Sequence, residues 1–168
     1  MLQSKDRIAE WIRIHDPHIC CLQETHLRTK DLHTLKVKGW KQILQANGQE
    51  KKARVATLIS DKIDLQRRAI KRNPEGHFII LKGRIHQEEI NIVNIYAPNI
   101  GAPKYIKKIL EDFKKDIDSN TIRVGDFNTP LSKMDRSSKQ NINKDIVSLN
   151  NTLEEMDLTD IYTAFHLK

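Results

Sequence analysis

A carboxylate and a carboxamide stand two residues apart, as Asp126 and Asn128, where a short β-branched run ends. The run begins at Thr121 and is closed by Asn-Thr-Pro, which predicts a buried strand leading into a turn. Because strand side chains alternate, both polar groups are expected on one face, with Phe127 on the other. Together they can hold a phosphate and its metal ion at a strand's C-terminal end, where open α/β folds bind ligands. The alternative is that they only cap and turn the chain.

Glu24 follows a second predicted strand in a similar way, after the apolar run His18–Leu22. An acidic residue in this position lies at the C-terminal rim of the sheet. Magnesium is typically held by one or two protein carboxylates, with water and phosphate oxygens as the remaining ligands. Glu24 is therefore a candidate metal ligand, and the alternative is an ordinary solvated carboxylate.

Tyr96 comes at the end of a third predicted strand, which Pro98 closes. Alternation along this strand places Asn94 and Tyr96 on the same face. A tyrosine at a strand end is either a half-buried core residue or a hydroxyl that meets a ligand such as phosphate. The core role is the more common one, and the polar rim predicted beside Tyr96 allows the second role here.

These groups must be positioned by a domain that is rich in short strands. Apolar residues at helical spacing predict three helices, at Lys5–His15, Ala102–Asp118 and Asp145–Met156. Short apolar runs between turn signals predict strands at His18–Leu22, Trp40–Ala46, Ala53–Ser60, Ile63–Ile70, His77–Ile85, Glu89–Ile95 and from Thr121 onward. Tight connections in the middle of the chain imply antiparallel pairing. A length of 168 residues with 38% hydrophobic residues predicts one domain spanning residues 1–168.

The charge balance indicates a polyanionic partner. Lysine and arginine number 29 against 22 acidic residues, which gives a formal net charge of +7. Much of the excess falls in one interval of strands and connections, and its candidate nucleic-acid contacts are Lys51, Lys52, Arg67 and Arg68. DNA is the expected partner, and the alternative is a charged solvated surface. No small-molecule cofactor is expected, and a monomer is favoured.

The two cysteines, Cys20 and Cys21, are adjacent in an apolar run. Neighbouring strand residues face opposite ways and do not easily form a disulfide, so both are expected to be reduced thiols in the core. The sequence shows no signal-peptide pattern and no run of membrane-spanning length. A nuclear or cytoplasmic location is the resulting expectation, without a membrane partner.

The order of these strand-end motifs resembles the endonuclease/exonuclease/phosphatase superfamily. In particular, the chain resembles the apurinic-like endonuclease domain of mammalian non-LTR retrotransposon polyproteins of the long interspersed element kind. The residues that carry the resemblance are Gln23–Leu27, Lys38–Trp40, Ile95–Asn99 and Gly125–Pro130. The resemblance implies an α/β fold, a four-layer sandwich of two mixed sheets with flanking helices, and metal-dependent cleavage of a DNA phosphodiester.

The same resemblance implies a role for each candidate residue. Glu24 would coordinate Mg²⁺, with Mn²⁺ as a possible substitute, and Tyr96 would contact the scissile phosphate. Asp126 and Asn128 would position the nucleophile and the phosphate oxygens. The further predicted nucleic-acid contacts are Asn94 and Asn99.

Two features depart from the family pattern. Family members carry a first strand with an asparagine near the metal and a final strand with Ser-Asp-His, and neither occurs in these 168 residues. No histidine in the chain is predicted at a comparable strand end. Arg54 also stands where the family usually has glycine. The fold is therefore expected to be incomplete at both termini and the enzyme weak or inactive, the alternatives being a nucleic-acid-binding fragment or a non-functional relic.

Overall fold

The computed structural model of the protein describes residues 4–25, 38–47, 53–130 and 142–161. Its helices are α1 (Ser4–His15), α2 (Ala102–Asp112) and α3 (Lys144–Glu155), and a short 3-10 turn covers Lys114–Asp116. Its strands are β1 (Ile19–Gln23), β2 (Gln42–Asn47), β3 (Ala53–Ile59), β4 (Leu65–Arg72), β5 (Phe78–Ile85), β6 (Glu88–Tyr96) and β7 (Thr121–Asp126). Every helix and strand predicted from the sequence is present.

The chain divides into two compact units. The first comprises Met1–Tyr96 and Asp116–Asp126, and it contains α1 and the seven strands of the described residues. The second comprises Ala97–Lys115 and Phe127–Lys168, and it contains α2 and α3.

The strands of the first unit form two sheets. One has the order β1-β3-β2, and the other has the order β4-β5-β6-β7. All neighbours pair antiparallel, as the tight connections predicted, except β6 and β7, which pair parallel. The parallel pair follows from the connection, because a helix links the two strands and parallel strands require such a crossover.

The two sheets pack face to face. Their shared core contains Leu44, Val55 and Ile59 from the first sheet and Ile79, Leu81 and Ile92 from the second. The other face of the first sheet is covered by α1, whose Ile12 packs with Cys20 and Leu58. The α/β fold with two packed sheets is thus confirmed. The helix, the first sheet and the second sheet are three successive layers of this unit.

The second unit is built from two amphipathic helices that pack together. Buried side chains line both helices: Ile106, Ile109 and Leu110 on α2, and Ile146, Leu149 and Thr152 on α3. The side chain of Asn143 begins α3 by accepting a hydrogen bond from the backbone N–H of Ile146 at 2.9 Å. Lys107 donates to the Ser148 hydroxyl at 2.8 Å and ties the helices together.

Two expectations about local structure were wrong. The second helix ends at Asp112 rather than near Asp118, and the chain then tightens into the 3-10 turn. Asp116 in that turn pairs with Lys71 at 2.6 Å and Lys82 at 2.5 Å, contacts that helical periodicity cannot reveal. The strand beginning at Thr121 is only partly buried, because it is the last strand of its sheet within the described residues.

The cysteines have the core positions expected of them. Cys20 is buried, Cys21 is half-buried, and both are free thiols. Burial raises the pKa of Cys20, and it raises the pKa of Cys21 to about 11. Both thiols are therefore protonated at neutral pH, which favours packing over nucleophilic roles. Among the described helices, none is both long and apolar enough to cross a membrane.

Replacing Arg123 of β7 with methionine is expected to stabilise the protein by about 1–2 kcal/mol. Burial lowers the pKa of Arg123 to about 10, and within the described ranges the side chain has no ion-pair partner. Methionine keeps the length of the side chain and removes the desolvated charge. Urea unfolding measures the difference, and the exposed Arg67→Met is the control, expected within about 0.5 kcal/mol of wild type. A destabilised Arg123→Met would show that the charge is compensated.

Candidate active site

The ends of β1 and β6 bring Glu24 and Tyr96 into direct contact. The Tyr96 hydroxyl donates a hydrogen bond of 2.6 Å to Glu24 Oε1, across a sequence separation of 72 residues. The Tyr96 side chain is buried, with 8% of its surface exposed, whereas Glu24 is exposed. The pair therefore combines a fixed phenol with a carboxylate that solvent or a ligand can reach.

The backbone at Glu24 explains how this contact is made. Simple alternation along β1 would direct Glu24 to the same side as Cys20 and Leu22, toward α1. Instead Glu24 has φ +49, a left-handed conformation that is uncommon outside glycine. This turn redirects the carboxylate to the side of β1 on which Tyr96 lies.

Asp126 reaches the same end of the first unit through β7. In the parallel register of β6 and β7, Asp126 is the partner of Tyr96, and Gly125 is the partner of Ile95. Gly125 has φ +150, and a Cβ atom there would lie 1.9 Å from the Ile95 carbonyl oxygen. Only glycine fits this close approach. Asp126 is exposed, so a second carboxylate stands beside the Tyr96–Glu24 pair.

The surroundings of Tyr96 keep its phenol protonated. Its hydrogen bond to Glu24 raises the pKa of Tyr96, and burial and the negative charges of Glu24 and Asp126 raise the pKa further. The positive charge of Arg54 acts in the opposite direction on this pKa. A neutral phenol can donate a hydrogen bond over the whole physiological pH range.

Arg54 lies beside this group of residues. The register of β1 and β3 pairs Gln23 with Val55, so its next step places Arg54 opposite Glu24. Arg54 is exposed and forms no ion pair with any residue that the structure describes. Glycine is the residue that the resemblance led us to expect here, and arginine adds a cation next to the two carboxylates.

Asn94 has an interior position. It is 0% exposed, and its amide bonds to groups of β1 and β3 across the space between the sheets. The sequence indicated correctly that Asn94 and Tyr96 share a face of β6, because both point toward the first sheet. The sequence predicted that Asn94 contacts nucleic acid directly. Because Asn94 has no exposed surface, it cannot make this contact in the structure.

Asn128 and Asn99 belong to the second unit. Asn128 has φ +46, and its Nδ2 donates to the Ala97 carbonyl at 2.6 Å. Strand β7 ends at Asp126, so strand alternation no longer applies to Asn128. Asn99 is exposed in the segment that follows β6. The roles predicted for these two residues, and the meeting of Asn128 with Glu24 and Tyr96, stay predictions.

Two of the four predicted basic contacts lie within the described residues. Arg67 and Arg68 are exposed on β4, an edge strand of the second sheet. Arg68 forms an ion pair with Glu89 at 2.8 Å. The last residue of β4, Arg72, lies at the Tyr96 end of the sheet. Arg67 and Arg68 come earlier on β4 and are therefore set back from that end. Lys51 and Lys52 lie outside the described residues.

His77 is a residue of this site that sequence reasoning missed. Its Nδ1 donates to the Tyr96 carbonyl at 2.8 Å, and its backbone carbonyl accepts from the Tyr96 N–H at 2.7 Å. The two rings are stacked, with centroids 6.0 Å apart. His77 lies before the start of β5, so the expectation that no histidine has a strand-end setting comparable to the family's Ser-Asp-His stays a prediction. His77 immediately precedes β5, and antiparallel pairing places the start of β5 beside the end of β6. The expected antiparallel pairing of these two strands was therefore the signal that could have placed His77 beside Tyr96.

The carboxylates of this site suit magnesium better than a metal ion that needs three or four protein ligands. No group of three or more histidine, cysteine or acidic side chains is arranged for a metal in the described parts of the chain. Zinc sites generally need three or four such ligands, whereas magnesium needs only one or two carboxylates. Glu24 is exposed and engages Tyr96 through Oε1, and Asp126 is nearby on β7. The residues thus fit a hard, mostly hydrated cation.

Comparison with known families places the chain in one of them. The model of the endonuclease/exonuclease/phosphatase family matches residues 1–166 of the chain. The chain belongs to this family. Glu24, Tyr96 and Asp126 thus lie within the part of the chain that matches the endonuclease/exonuclease/phosphatase family.

Solved structures show the same fold. An AP endonuclease from Archaeoglobus fulgidus matches with a TM-score of 0.67 and 18% identity, covering 98% of this chain and 70% of its own. The endonuclease domain of TRAS1, a telomere-specific non-LTR retrotransposon, gives 0.64 and 18%, covering 91% of this chain and 65% of its own. TDP2 from D. rerio, complexed with a single-strand DNA product, gives 0.63 and 10%, covering 98% and 64%. The chain therefore spans slightly less than two thirds of the last two structures.

Proposed function

We propose that this protein is a magnesium-dependent endonuclease of retrotransposon origin that hydrolyses a DNA phosphodiester bond. The observation that carries the proposal is the 2.6 Å hydrogen bond from Tyr96 to Glu24, with Asp126 opposite Tyr96 on the neighbouring strand. This arrangement offers one neutral donor and two carboxylates at the ends of three strands. Phosphodiester hydrolysis needs groups of both kinds.

Each side chain has a distinct task in the proposed reaction. Asp126 orients a water molecule and accepts its proton as the water oxygen forms a bond to phosphorus. The bond from phosphorus to the leaving ribose oxygen breaks, and that oxygen takes a proton from solvent. When the phosphate binds, the Tyr96 hydroxyl turns its single O–H from Glu24 to a non-bridging phosphate oxygen, and the released Glu24 carboxylate would hold the cation. When Mg²⁺ is bound, it supplies positive charge that stabilises the charge developing on the phosphate oxygens.

The charge distribution supports DNA as the substrate. The formal net charge is +7, and β4 presents Arg67 and Arg68 on an exposed edge. Arginine and lysine side chains of this kind neutralise phosphates and release counterions. The likeness to the TRAS1 endonuclease domain, together with the sequence motifs, supports the retrotransposon origin. The TDP2 structure with a DNA product supports a nucleic-acid substrate for this fold.

Conversion of supercoiled plasmid to the nicked circle tests the proposal. We expect nicking by the full chain in Mg²⁺ and none in EDTA. Asp126→Asn keeps the shape and removes the proton acceptor, so the rate should fall by about 100-fold to 10,000-fold. The matched control is Asp64→Asn, an exposed residue before β4, at the opposite end of the sheet from Tyr96. Nicking that persists equally in Asp126→Asn would refute the assignment.

Binding is measured separately, because the basic edge of β4 also favours a second function, nucleic-acid binding without cleavage. The affinity of the chain for a labelled duplex in EDTA is followed as the salt concentration rises. If phosphate contacts dominate, log affinity falls against log salt with a slope of about 0.9 per contact. Salt-dependent binding with no Mg²⁺-dependent nicking would establish the binding function and exclude the enzyme.

A further inference from the structure

The side-chain amide of Asn94 is bonded at both ends in the space between the two sheets. Its Nδ2 donates to the Ala56 carbonyl at 3.0 Å and to the Thr57 hydroxyl at 3.2 Å, and it lies 3.4 Å from the Leu22 carbonyl. Its Oδ1 accepts a 2.7 Å hydrogen bond from Gln23 Nε2. With the donor end and the acceptor end both engaged, the orientation of the amide is fixed.

These contacts cross from one sheet to the other. Asn94 belongs to β6, whereas Leu22 and Gln23 belong to β1, and Ala56 and Thr57 belong to β3. The rest of this interface is apolar, and apolar packing has little directional preference. Hydrogen bonds require specific distances and angles. The amide contacts therefore define how far β6 can shift relative to β1.

The positions of the two amide residues connect them to the site. Gln23 is the last residue of β1 and immediately precedes Glu24, which adopts the left-handed turn. Asn94 is two residues before Tyr96 on the same face of β6. Along both strands, the bond between Gln23 and Asn94 therefore comes directly before the bond between Glu24 and Tyr96.

We propose that Gln23 and Asn94 are positioning residues of the active site, which hold the ends of β1 and β6 at the separation that lets Glu24 contact Tyr96. The geometric part stands by itself, and the consequence for catalysis rests on the proposed nuclease function. Without the amide pair, β1 and β6 keep their apolar packing but lose the contact that sets their alignment. The Glu24 carboxylate then no longer stays within hydrogen-bond distance of the phenol.

Unfolding free energies report this positioning directly, through the coupling between position 23 and Tyr96. Tyr96→Phe keeps the ring and removes the hydroxyl that donates to Glu24. If Gln23 acts by holding Glu24 at Tyr96, the losses of stability caused by the Gln23 and Tyr96 substitutions are not additive, because either substitution alone already removes the contact. Urea unfolding of the parent, the two single variants and the double variant measures this coupling.

Gln23→Met is the decisive variant, because it keeps the length of a half-buried side chain and removes the donor to Asn94. We expect its loss of stability to be non-additive with that of Tyr96→Phe, and the Mg²⁺-dependent nicking rate to drop about tenfold to 100-fold, with KM little changed. Gln45→Met is the control, since Gln45 is a half-buried glutamine on β2 of the same sheet. Its loss of stability should add to that of Tyr96→Phe. If Gln23→Met does not melt cooperatively, Gln23→Ser carries the same expectation.

Additive losses of stability in a folded Gln23 variant would overturn the proposal. An equal coupling between Gln45→Met and Tyr96→Phe would also overturn it, because the effect would then come from general loosening of the sheet. Coupling confined to the Gln23 variant supports the positioning role. If that coupling occurs but the parent chain does not nick DNA, the positioning stands and the nuclease function fails, so the two hypotheses are distinguished.

Discussion

Glu24→Gln should lower Mg²⁺-dependent nicking by at least about 100-fold, because a bound cation contributes several kcal/mol of charge stabilisation. Glutamine keeps the size of the side chain and can still accept a hydrogen bond from Tyr96, at 2.6 Å in the parent. It removes the negative charge that would hold the cation. Binding of Mg²⁺, followed by calorimetry, should weaken in parallel with the rate.

The same substitution should change the titration of Tyr96 in a defined direction. The pKa of Tyr96 is raised mainly by its bond to Glu24, so it should fall toward about 10 in Glu24→Gln. A raised folded-state pKa contributes stability that is fully present below about pH 10 and is lost as pH rises through the folded value. Above pH 10 the parent should therefore lose more stability than the variant does.

Glu88→Gln is the matched control for both measurements. Glu88 is exposed at the start of β6, at the opposite end of that strand from Tyr96. Its replacement removes the same charge without touching the site. A nicking rate that falls equally in both variants would mean that overall charge, rather than metal binding at Glu24, determines activity.

Gly125→Ala should destabilise the protein by roughly 3 kcal/mol, because two penalties apply at one position. The backbone of Gly125 has φ +150, which L side chains rarely adopt, and the added Cβ would lie 1.9 Å from the Ile95 carbonyl oxygen. Since the obstacle is backbone, β7 must move away from β6. Asp126 directly follows Gly125 and would move with it, so nicking should also be lost.

Gly39→Ala separates these two penalties. Gly39 has φ +90, but a Cβ atom there would meet nothing within 4 Å. Gly39→Ala should therefore lower the free energy of unfolding only by the backbone strain, about 1 kcal/mol. Thermal and urea unfolding of the two variants measure the difference. Equal losses of stability would show that β7 does not depend on close contact at Gly125.

Much of the architecture follows from local sequence patterns. Alternation and helical spacing locate the strands and helices, and the run from Ile90 to Tyr96 correctly places Asn94 and Tyr96 on one face. The strand-end positions of the polar residues Glu24 and Asp126 are also evident from the apolar runs that precede them. These features are determined by a few neighbouring residues, so the sequence alone is sufficient to predict them.

Other features depend on contacts between distant segments. The residues next to Asn94 in the sequence do not indicate that its amide bonds to β1 and β3. Those bonds depend on how the second sheet packs against the first. His77 joins the site only through its register with Tyr96. Asp116 lies beside Lys71 and Lys82, beyond a helix that stops earlier than its periodicity suggests.

The sequence by itself thus determined which side chains have the chemistry for phosphate and cation binding, and that they follow strands. The tertiary structure decided which of them meet. Glu24 reaches Tyr96 because a left-handed turn and the alignment of two sheets bring together residues 72 positions apart. Periodicity describes the faces of one element, whereas the distance between two elements depends on packing and hydrogen bonds that involve both at once.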